Sequence, residues 1–392
     1  MTLLIFEATK VELVGWLLFA VVLFYAGPAF VLMPRRTLRR FTSDIDDPAF
    51  WPVVSVVIAA RDEEQRIGET LSRLLASDYP HLEVILANDR SADGTLQIAE
   101  AISQNDHRLR IVTIDDVPEG WLGKTNAMTQ AAKLATGEFL LFTDGDIQFS
   151  PDAIRLALRY TLDRKLDHFC LFPSMETQGW FECVLVSFFA MLFSFGTQPW
   201  LRSFRFPGAY YGIGAFNLVR RVTYDSVGGH DPIRLDILDD VKLGKLLYKQ
   251  RAAADYLVAE DTIRVRWQSS AWGVIRGLEK NAFASMSYSL IRMLGFSMFF
   301  GLVFFVPIIA VLLVPFESAT GFLAVLILLH LTFGRLSVAF GGSLSVMPGL
   351  TIGAAGVLFA FWRSTFLTLR HGSVTWRETC YSLKDLRAGE YR

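Results

Sequence analysis

The chain has little cysteine, no long block of one charge and no Cys-x-x-Cys spacing, and each shortage narrows what it can be. Cys170, Cys183 and Cys380 are the only cysteines among 392 residues and are widely scattered. That argues against a disulfide framework and against a zinc site, and leaves ordinary reduced thiols. Lys plus Arg number 38 and Asp plus Glu 39, a net charge of −1. Beyond a short cluster at Arg35 to Arg40 no basic stretch offers nucleic acid a footprint. What the chain has in excess is apolar surface: 52% of residues are hydrophobic and the mean hydropathy is +0.35. This is the balance of a membrane protein with room for one large domain besides its spans.

Val11 to Met33 is an apolar stretch long enough to cross a bilayer, and Pro34-Arg35-Arg36-Thr37-Leu38-Arg39-Arg40 follows at once. The positive flank is expected to be cytoplasmic. Glu7, Lys10 and Glu12 precede the stretch and no small-residue cleavage site follows it, the pattern of an uncleaved anchor rather than a signal peptide. Three further apolar segments run from Met293 to Phe316, Gly321 to Phe340 and Leu344 to Trp362, broken by Pro315-Phe316-Glu317-Ser318 and Gly341-Gly342-Ser343. Three crossings after a cytoplasmic domain would put the tail outside. Yet Arg363, Arg370, Arg377, Lys384, Arg387 and Arg392 give that tail a cytoplasmic character, a conflict that a re-entrant segment would remove. Trp180 to Trp200, rich in phenylalanine, fits either a buried core helix or an interfacial helix facing an acceptor.

Between the anchors the pattern alternates. Val53 to Ala60 is a continuous apolar, β-branched run, as in a strand buried on both faces of a parallel sheet. Glu69 to Leu75 has helical spacing, Leu82 to Ala87 reads as a second strand, Ala92 to Ile102 as a second helix and Arg110 to Ile114 as a third strand. In such βαβαβ series ligands bind beyond the C-terminal strand ends. Those ends carry Arg61-Asp62-Glu63-Glu64, Asn88-Asp89-Arg90-Ser91 and, after the apolar run Glu138 to Thr143, Asp144-Gly145-Asp146. Two carboxylates at a strand tip can hold a hard divalent cation against a diphosphate, although acidic pairs there also serve as solvated turns.

These segments together, with Gly123-Lys124-Thr125-Asn126-Ala127, resemble the inverting family 2 glycosyltransferases over roughly residues 50 to 280. The resemblance implies an α/β fold: a GT-A (Rossmann-like, mostly parallel sheet) catalytic domain with one N-terminal and about three C-terminal transmembrane helices. The implied organisation is an anchor and basic flank at 1–40, the GT-A domain at 50–281, a membrane region at 293–362 and a basic tail at 363–392. The spans, Gly120-Trp121-Leu122-Gly123-Lys124 and Gly372-Ser373-Val374-Thr375-Trp376-Arg377 look like the lipid-modifying branch that includes ceramide glucosyltransferases and hopanoid- or carotenoid-associated enzymes.

By resemblance Asp62, Glu63 and Asp89 bind the nucleotide of a UDP-sugar, Lys124 neutralises its diphosphate, and Asp93-Gly94 forms a turn. Asp144 contacts ribose or metal-bound water, and Asp146 ligates Mg2+ or Mn2+, so both belong to the metal pair. Asp239-Asp240 opens a helix where relatives carry an acidic pair, and Asp240, beside Asp239, is the expected general base for inversion. Asp239 equally suits a helix cap. Tyr210 to Phe216 resembles the glycine-containing segment of the sugar pocket, while His230, as a lone loop histidine, reads first as solvated. Relatives often carry Gln-x-x-Arg-Trp; here Arg264-Val265-Arg266-Trp267-Gln268 departs from that order. The expectation is an integral protein of a bacterial inner membrane, with a cytoplasmic catalytic domain that glycosylates a lipid and uses no nucleic acid. Its rivals are a processive polysaccharide synthase, a polyprenyl-phosphate sugar transferase and a scaffold on an inactive GT-A fold.

Overall fold

A computed structural model describes residues 2–377 and 379–391; Arg392, counted above in the basic tail, lies outside the described residues. The chain divides into two compact units. One holds the sheets and comprises Arg36–Glu176, Leu201–Trp267 and the chain from Thr368 on; the other comprises the chain up to Arg35, Thr177–Trp200 and Gln268–Leu367.

The sheet-bearing unit has strands β1 (Val54–Ala60), β2 (Leu82–Asp89), β3 (Leu109–Ile114), β4 (Phe139–Asp144), β5 (Ile147–Phe149) and β6 (His168–Phe172). It continues with β7 (Ser174–Met175), β8 (Asn217–Arg220), β9 (Ala254–Val258), β10 (Ile263–Val265), β11 (Ser373–Trp376) and β12 (Thr379–Ser382). The large sheet has seven strands in the order β3-β2-β1-β4-β8-β6-β9. Its pairings are parallel except where β8 runs against β4 and β6. Val54, Val56, Val57 and Ile58 are wholly buried, as a strand covered on both faces requires. The register pairs Ala60 with Asn88 and Ala59 with Asp144, so the tips of β1, β2 and β4 finish in line.

Expected and observed elements differ mainly at one end. The second helix begins at Thr95 rather than near Ala92. The Asp93 carboxylate accepts from the backbone N–H of Glu64 and of Thr95, so the preceding residues tie two strand-end loops together instead of starting a helical turn. Helices Gly123–Leu134 and Asp239–Lys249 share one buried cluster with β4, in which Met128, Ala131, Phe142, Leu243 and Leu247 meet. Each large side chain buried there contributes ~1.5–3 kcal/mol. That packing fixes two helix N-termini, those bearing Lys124 and Asp239, beside the tip of β4.

Among the described residues five helical segments, lying wholly or mostly in the other unit, are long and apolar enough to cross a membrane: Thr9–Arg35, Trp180–Phe204, Leu290–Leu313, Phe316–Ala339 and Leu344–His371. The third breaks into Leu290–Phe304 and Val306–Leu313, where Pro307 starts a new helix. The first and fourth pack side by side and parallel: Gly15 meets Gly321 and Phe322 at one level, and Arg335 lies 4.7 Å over the Phe30 ring at another. A Cβ on Gly321 would come within 2.5 Å of the Gly15 carbonyl carbon, so the backbones approach as closely as small residues permit.

Candidate functional site

The loops after β1 and β2 are laced to each other. Asp62, at φ +54, accepts from the Ala92 N–H at 2.8 Å, and its own N–H donates to Ser91 Oγ at 3.1 Å. Glu63 N–H donates to Thr95 Oγ1 at 2.8 Å, and Glu64 accepts from Gly94 N–H at 2.8 Å. The Asp62 carboxylate therefore shapes its loop, while that of Glu63 meets the Arg377 guanidinium. Asp89, 5% exposed, takes two hydrogen bonds from Arg90, at 2.8 and 3.2 Å. Gly123 lies against this pair: a Cβ there would fall 2.4 Å from Asp89 Oδ2.

At the tip of β4, Lys124 Nζ sits 2.9 Å from Asp144 Oδ1 and 3.3 Å from Asp239 Oδ2. Burial lowers its pKa, but the Asp144, Asp239 and Asp240 carboxylates outweigh that and hold it well above the usual lysine range. Asp146 is bound by Arg66 Nη1 at 3.0 Å. Burial and the neighbouring Asp144 and Glu63 charges still push it up to about 6, against the pull of Arg66. Among the described residues no group of three or more His, Cys, Asp or Glu side chains is spaced to hold a metal alone. Asp144 and Asp146 carry hard oxygen donors of the kind a divalent cation takes, each paired here with a basic side chain, Lys124 and Arg66.

Opposite, Asp240 Oδ2 accepts from Gly214 N–H at 2.8 Å and Oδ1 from Val241 N–H at 2.7 Å. Burial, then Asp239 and more weakly Asp144, push Asp240 up to about 6, with Lys124 opposing. A Cβ on Gly214 would come within 2.7 Å of Asp144 Oδ2 and 3.5 Å of Asp240 Oδ2, so this glycine stands between the two carboxylates. Gly212 has a stricter reason: a Cβ there would be 1.8 Å from the Asp240 carbonyl oxygen. The segment Tyr210 to Phe216 is thus a backbone wall against the helix of Asp239. His230 is buried rather than solvated; it pairs with Tyr224 Oη at 2.8 Å and packs on Phe142, and burial and Lys124 lower its pKa to about 3. It is a neutral core histidine.

Two contributors went unrecognised in the sequence. Arg66 was not singled out, and only the loop acids just before it, with a helix pattern just after, hinted at it. The sequence points to the tail only through its motif and its positive charge, yet β11 and β12 form a hairpin beside the site. Arg377 Nη1 donates to the Asp62 carbonyl at 3.2 Å, Tyr381 Oη accepts from Gly123 N–H at 3.1 Å, and Arg61 donates to Thr379 Oγ1 at 3.0 Å. Farther on, Lys242 Nζ lies 3.1 Å from Glu390 and 3.2 Å from Asp236, tying the tail to the helix of Asp240.

Strand-end acids along a mostly parallel sheet and a lysine bridging one of them to an acidic helix start define a site type, and comparison with known proteins gives it a family resemblance. Residues 55–228 match the sequence profile described as Glycosyl transferase family 2. Over those residues the chain is similar to the family 2 glycosyltransferases. Over 228 residues it is 25% identical to the 4,4'-diaponeurosporenoate glycosyltransferase of Staphylococcus aureus strain USA300, covering 57% of this chain and 57% of the relative. The chain thus matches little more than half the length of that relative. The mannosyltransferase PcManGT from Pyrobaculum calidifontis, solved in complex with GDP-Man and Mn2+, superposes with a TM-score of 0.50 at 17% identity, covering 91% of this chain and 98% of that one. The likeness supports a glycosyltransferase GT-A fold.

Proposed function

We propose that this protein is an inverting glycosyltransferase that moves a sugar from a UDP-linked donor to a hydroxyl or carboxylate of a membrane lipid. The observation that carries the reading is the pairing of Lys124 with both Asp144 and Asp239, while Gly214 separates Asp144 from Asp240. Donor-side and base-side carboxylates thus lie together around Lys124 and Gly214. In this reading Asp62, Glu63 and Asp89 form the nucleotide end and Lys124 exchanges carboxylate for diphosphate as the donor enters. Asp144 and Asp146 would hold Mg2+ or Mn2+, which offsets the charge of the leaving diphosphate. Asp240, fixed by two backbone N–H groups, takes the acceptor proton from the face opposite the leaving group; a pKa near 6 makes it a stronger base than an ordinary aspartate while leaving it ionised at neutral pH.

A lipid acceptor is favoured by connectivity, because the chain passes repeatedly between sheet-bearing and apolar segments. The staphylococcal relative is named for a carboxylate acceptor, diaponeurosporenoate. Membranes carrying the protein, given a panel of radiolabelled nucleotide sugars, are expected to pass label from a UDP-sugar into the lipid extract. Label confined to water-soluble products, or none from any donor, overturns the proposal.

Connectivity also bears on topology. β7 precedes Trp180–Phe204 and β8 follows it within one unit, so this segment does not make a single crossing. Gln268–Leu367 likewise leaves that unit and returns to it, which requires an even number of crossings from its three apolar segments. Phe316–Ala339, parallel to the anchor that leads into Arg36, is one and Leu290–Leu313 the other; Leu344–His371 then lies in the membrane plane. Its polar side fits that place, with Arg363 2.6 Å from Glu279 and Ser364 donating to the Glu279 carbonyl. The tail is thereby cytoplasmic with the catalytic unit. Cys380, exposed where Cys170 and Cys183 are buried, supplies the test. A membrane-impermeant maleimide should label it in inverted vesicles and not in intact cells; the reverse pattern defeats this topology.

A further inference from the structure

The strand edge opposite the carboxylates carries a cleft that the reading above leaves unused. Two antiparallel pairings through β8 make β6 and β9 parallel to β4, so the residues just before β9 lie at the far end of the sheet from Asp144. There Arg202, Arg205, Tyr248, Lys249 and Arg251 line one cleft together with the start of β9. The helix Asp239–Lys249 links the edges: its first residue faces Lys124, and its last lines this cleft ~15 Å away. No Asp or Glu is among the lining residues. In a chain of net charge −1 this is a local excess of cations.

Lys249 alone has a simple explanation, since a cation suits a helix C-terminus. Arg202 does not. It is 8% exposed, donates through Nη2 to the Ala252 carbonyl at 3.2 Å and lies 4.5 Å over the Tyr248 ring. Among the described residues it has no carboxylate partner. A buried guanidinium with five donors and no counter-charge is costly to fold unless an anion completes it. Its walls are held in place: Tyr248 Oη donates to the carbonyls of Arg205 and Phe206, at 2.8 and 3.1 Å, joining the two segments that supply the cations.

We propose that this cleft binds the phosphate headgroup of an anionic membrane phospholipid. Phosphate suits an arginine fork. The lipid source is favoured by the rim and by the chain: Phe204 is 79% exposed and Phe206 40%, flanking Arg205, and Phe204 ends the apolar segment that begins at Trp180, with Phe206 just beyond it. A soluble phosphate has no use for exposed rings, whereas aromatic side chains beside cations are the pattern of a surface that meets a bilayer interface. The assignment does not depend on the sugar-transfer reading.

The full-length protein, reconstituted in nanodiscs of phosphatidylcholine with and without phosphatidylglycerol, is extracted and its retained lipid counted by native mass spectrometry. Wild-type protein is expected to retain phosphatidylglycerol selectively. Arg205→Gln and Arg251→Gln, at exposed positions that leave the fold alone, should each weaken that selectivity about fivefold, and Arg202→Gln more. Equal retention of both lipids, or selectivity unchanged in Arg205→Gln and Arg251→Gln, overturns the proposal. Delipidated protein titrated with inorganic phosphate separates the sources. Thermal stabilisation by phosphate as large as that by phosphatidylglycerol, and unaffected by Phe204→Ser, would assign the cleft to a soluble anion instead.

Discussion

Glu63, Asp89 and Asp146 each meet an arginine side chain, from Arg377, Arg90 and Arg66 respectively, whereas Asp240 is held by the backbone N–H groups of Gly214 and Val241. The two halves of the site use the same functional group under different constraints. A partly exposed arginine–carboxylate pair is worth at most ~1 kcal/mol and can open when a more highly charged ligand arrives. A carboxylate gripped by backbone has nowhere to go. On the proposed reading, the donor half suits the exchange of ions and the base half keeps one oxygen in one place. Burial and like charge raise the pKa in both halves: Asp240 beside Asp239 and Asp146 beside Asp144 and Glu63 are each pushed up to about 6, Asp146 in spite of its arginine.

The sharpest way to break the comparison is Asp240→Asn. It keeps the shape and removes the proton acceptor, so turnover on a hydroxyl acceptor should fall about 10²–10⁴-fold with donor KM little changed. Turnover near normal would mean an acceptor that arrives already ionised. The pH profile carries the same information with a definite sign. Because burial and Asp239 raise the Asp240 pKa to about 6, its active ionised form is lost as pH falls through that value. Below it kcat/KM should drop about tenfold per pH unit. Asp239→Asn removes the like charge, so its acidic limb should move to lower pH; a limb that stays in place detaches it from this pair.

Next in size comes the exchangeable half. Asp146→Ala should cost about 10²-fold or more in turnover and abolish stimulation by added Mg2+ or Mn2+, as loss of a ligand that steadies the departing diphosphate requires. Nucleotide affinity measured without metal should change far less. Activity that is indifferent both to chelator and to Asp146→Ala would leave the Arg66 pair as a purely structural contact.

Much of this was legible because it is local. Val54 to Ala60 shows its burial in its own composition, and Asp144-Gly145-Asp146 and Asp239-Asp240 mark strand and helix ends in the residues themselves. What escaped is non-local. Arg377 reaches Glu63 across 314 residues and Tyr381 reaches Gly123 across 258, and no periodicity links such positions. The partner of the Asp62 carboxylate, the Ala92 N–H, is a backbone group that side-chain chemistry does not advertise. Trp180 to Trp200 stayed ambiguous for a different reason. An apolar helix reads alike whether it crosses a bilayer or lies along it, and only β7 before it and β8 after it, within one unit, decide against a single crossing.

The tail hairpin supplies the finest test of how the donor half is held. Arg377→Ala frees Glu63 and removes a contact to the Asp62 carbonyl, so the proposed nucleotide end loses a wall and gains an uncompensated carboxylate where the proposed donor would bind. Donor KM should rise about fivefold to tenfold with kcat nearly constant, the scale of one charge-assisted hydrogen bond. Tyr381→Phe deletes only a hydroxyl that accepts from Gly123 N–H at 3.1 Å, so its effect should be smaller, about twofold to fivefold, again in KM. If the hairpin merely braced the fold, both variants would lower thermal stability and leave donor KM alone. If it acts on the nucleotide, KM moves while the melting temperature hardly does, because neither side chain is part of the buried core.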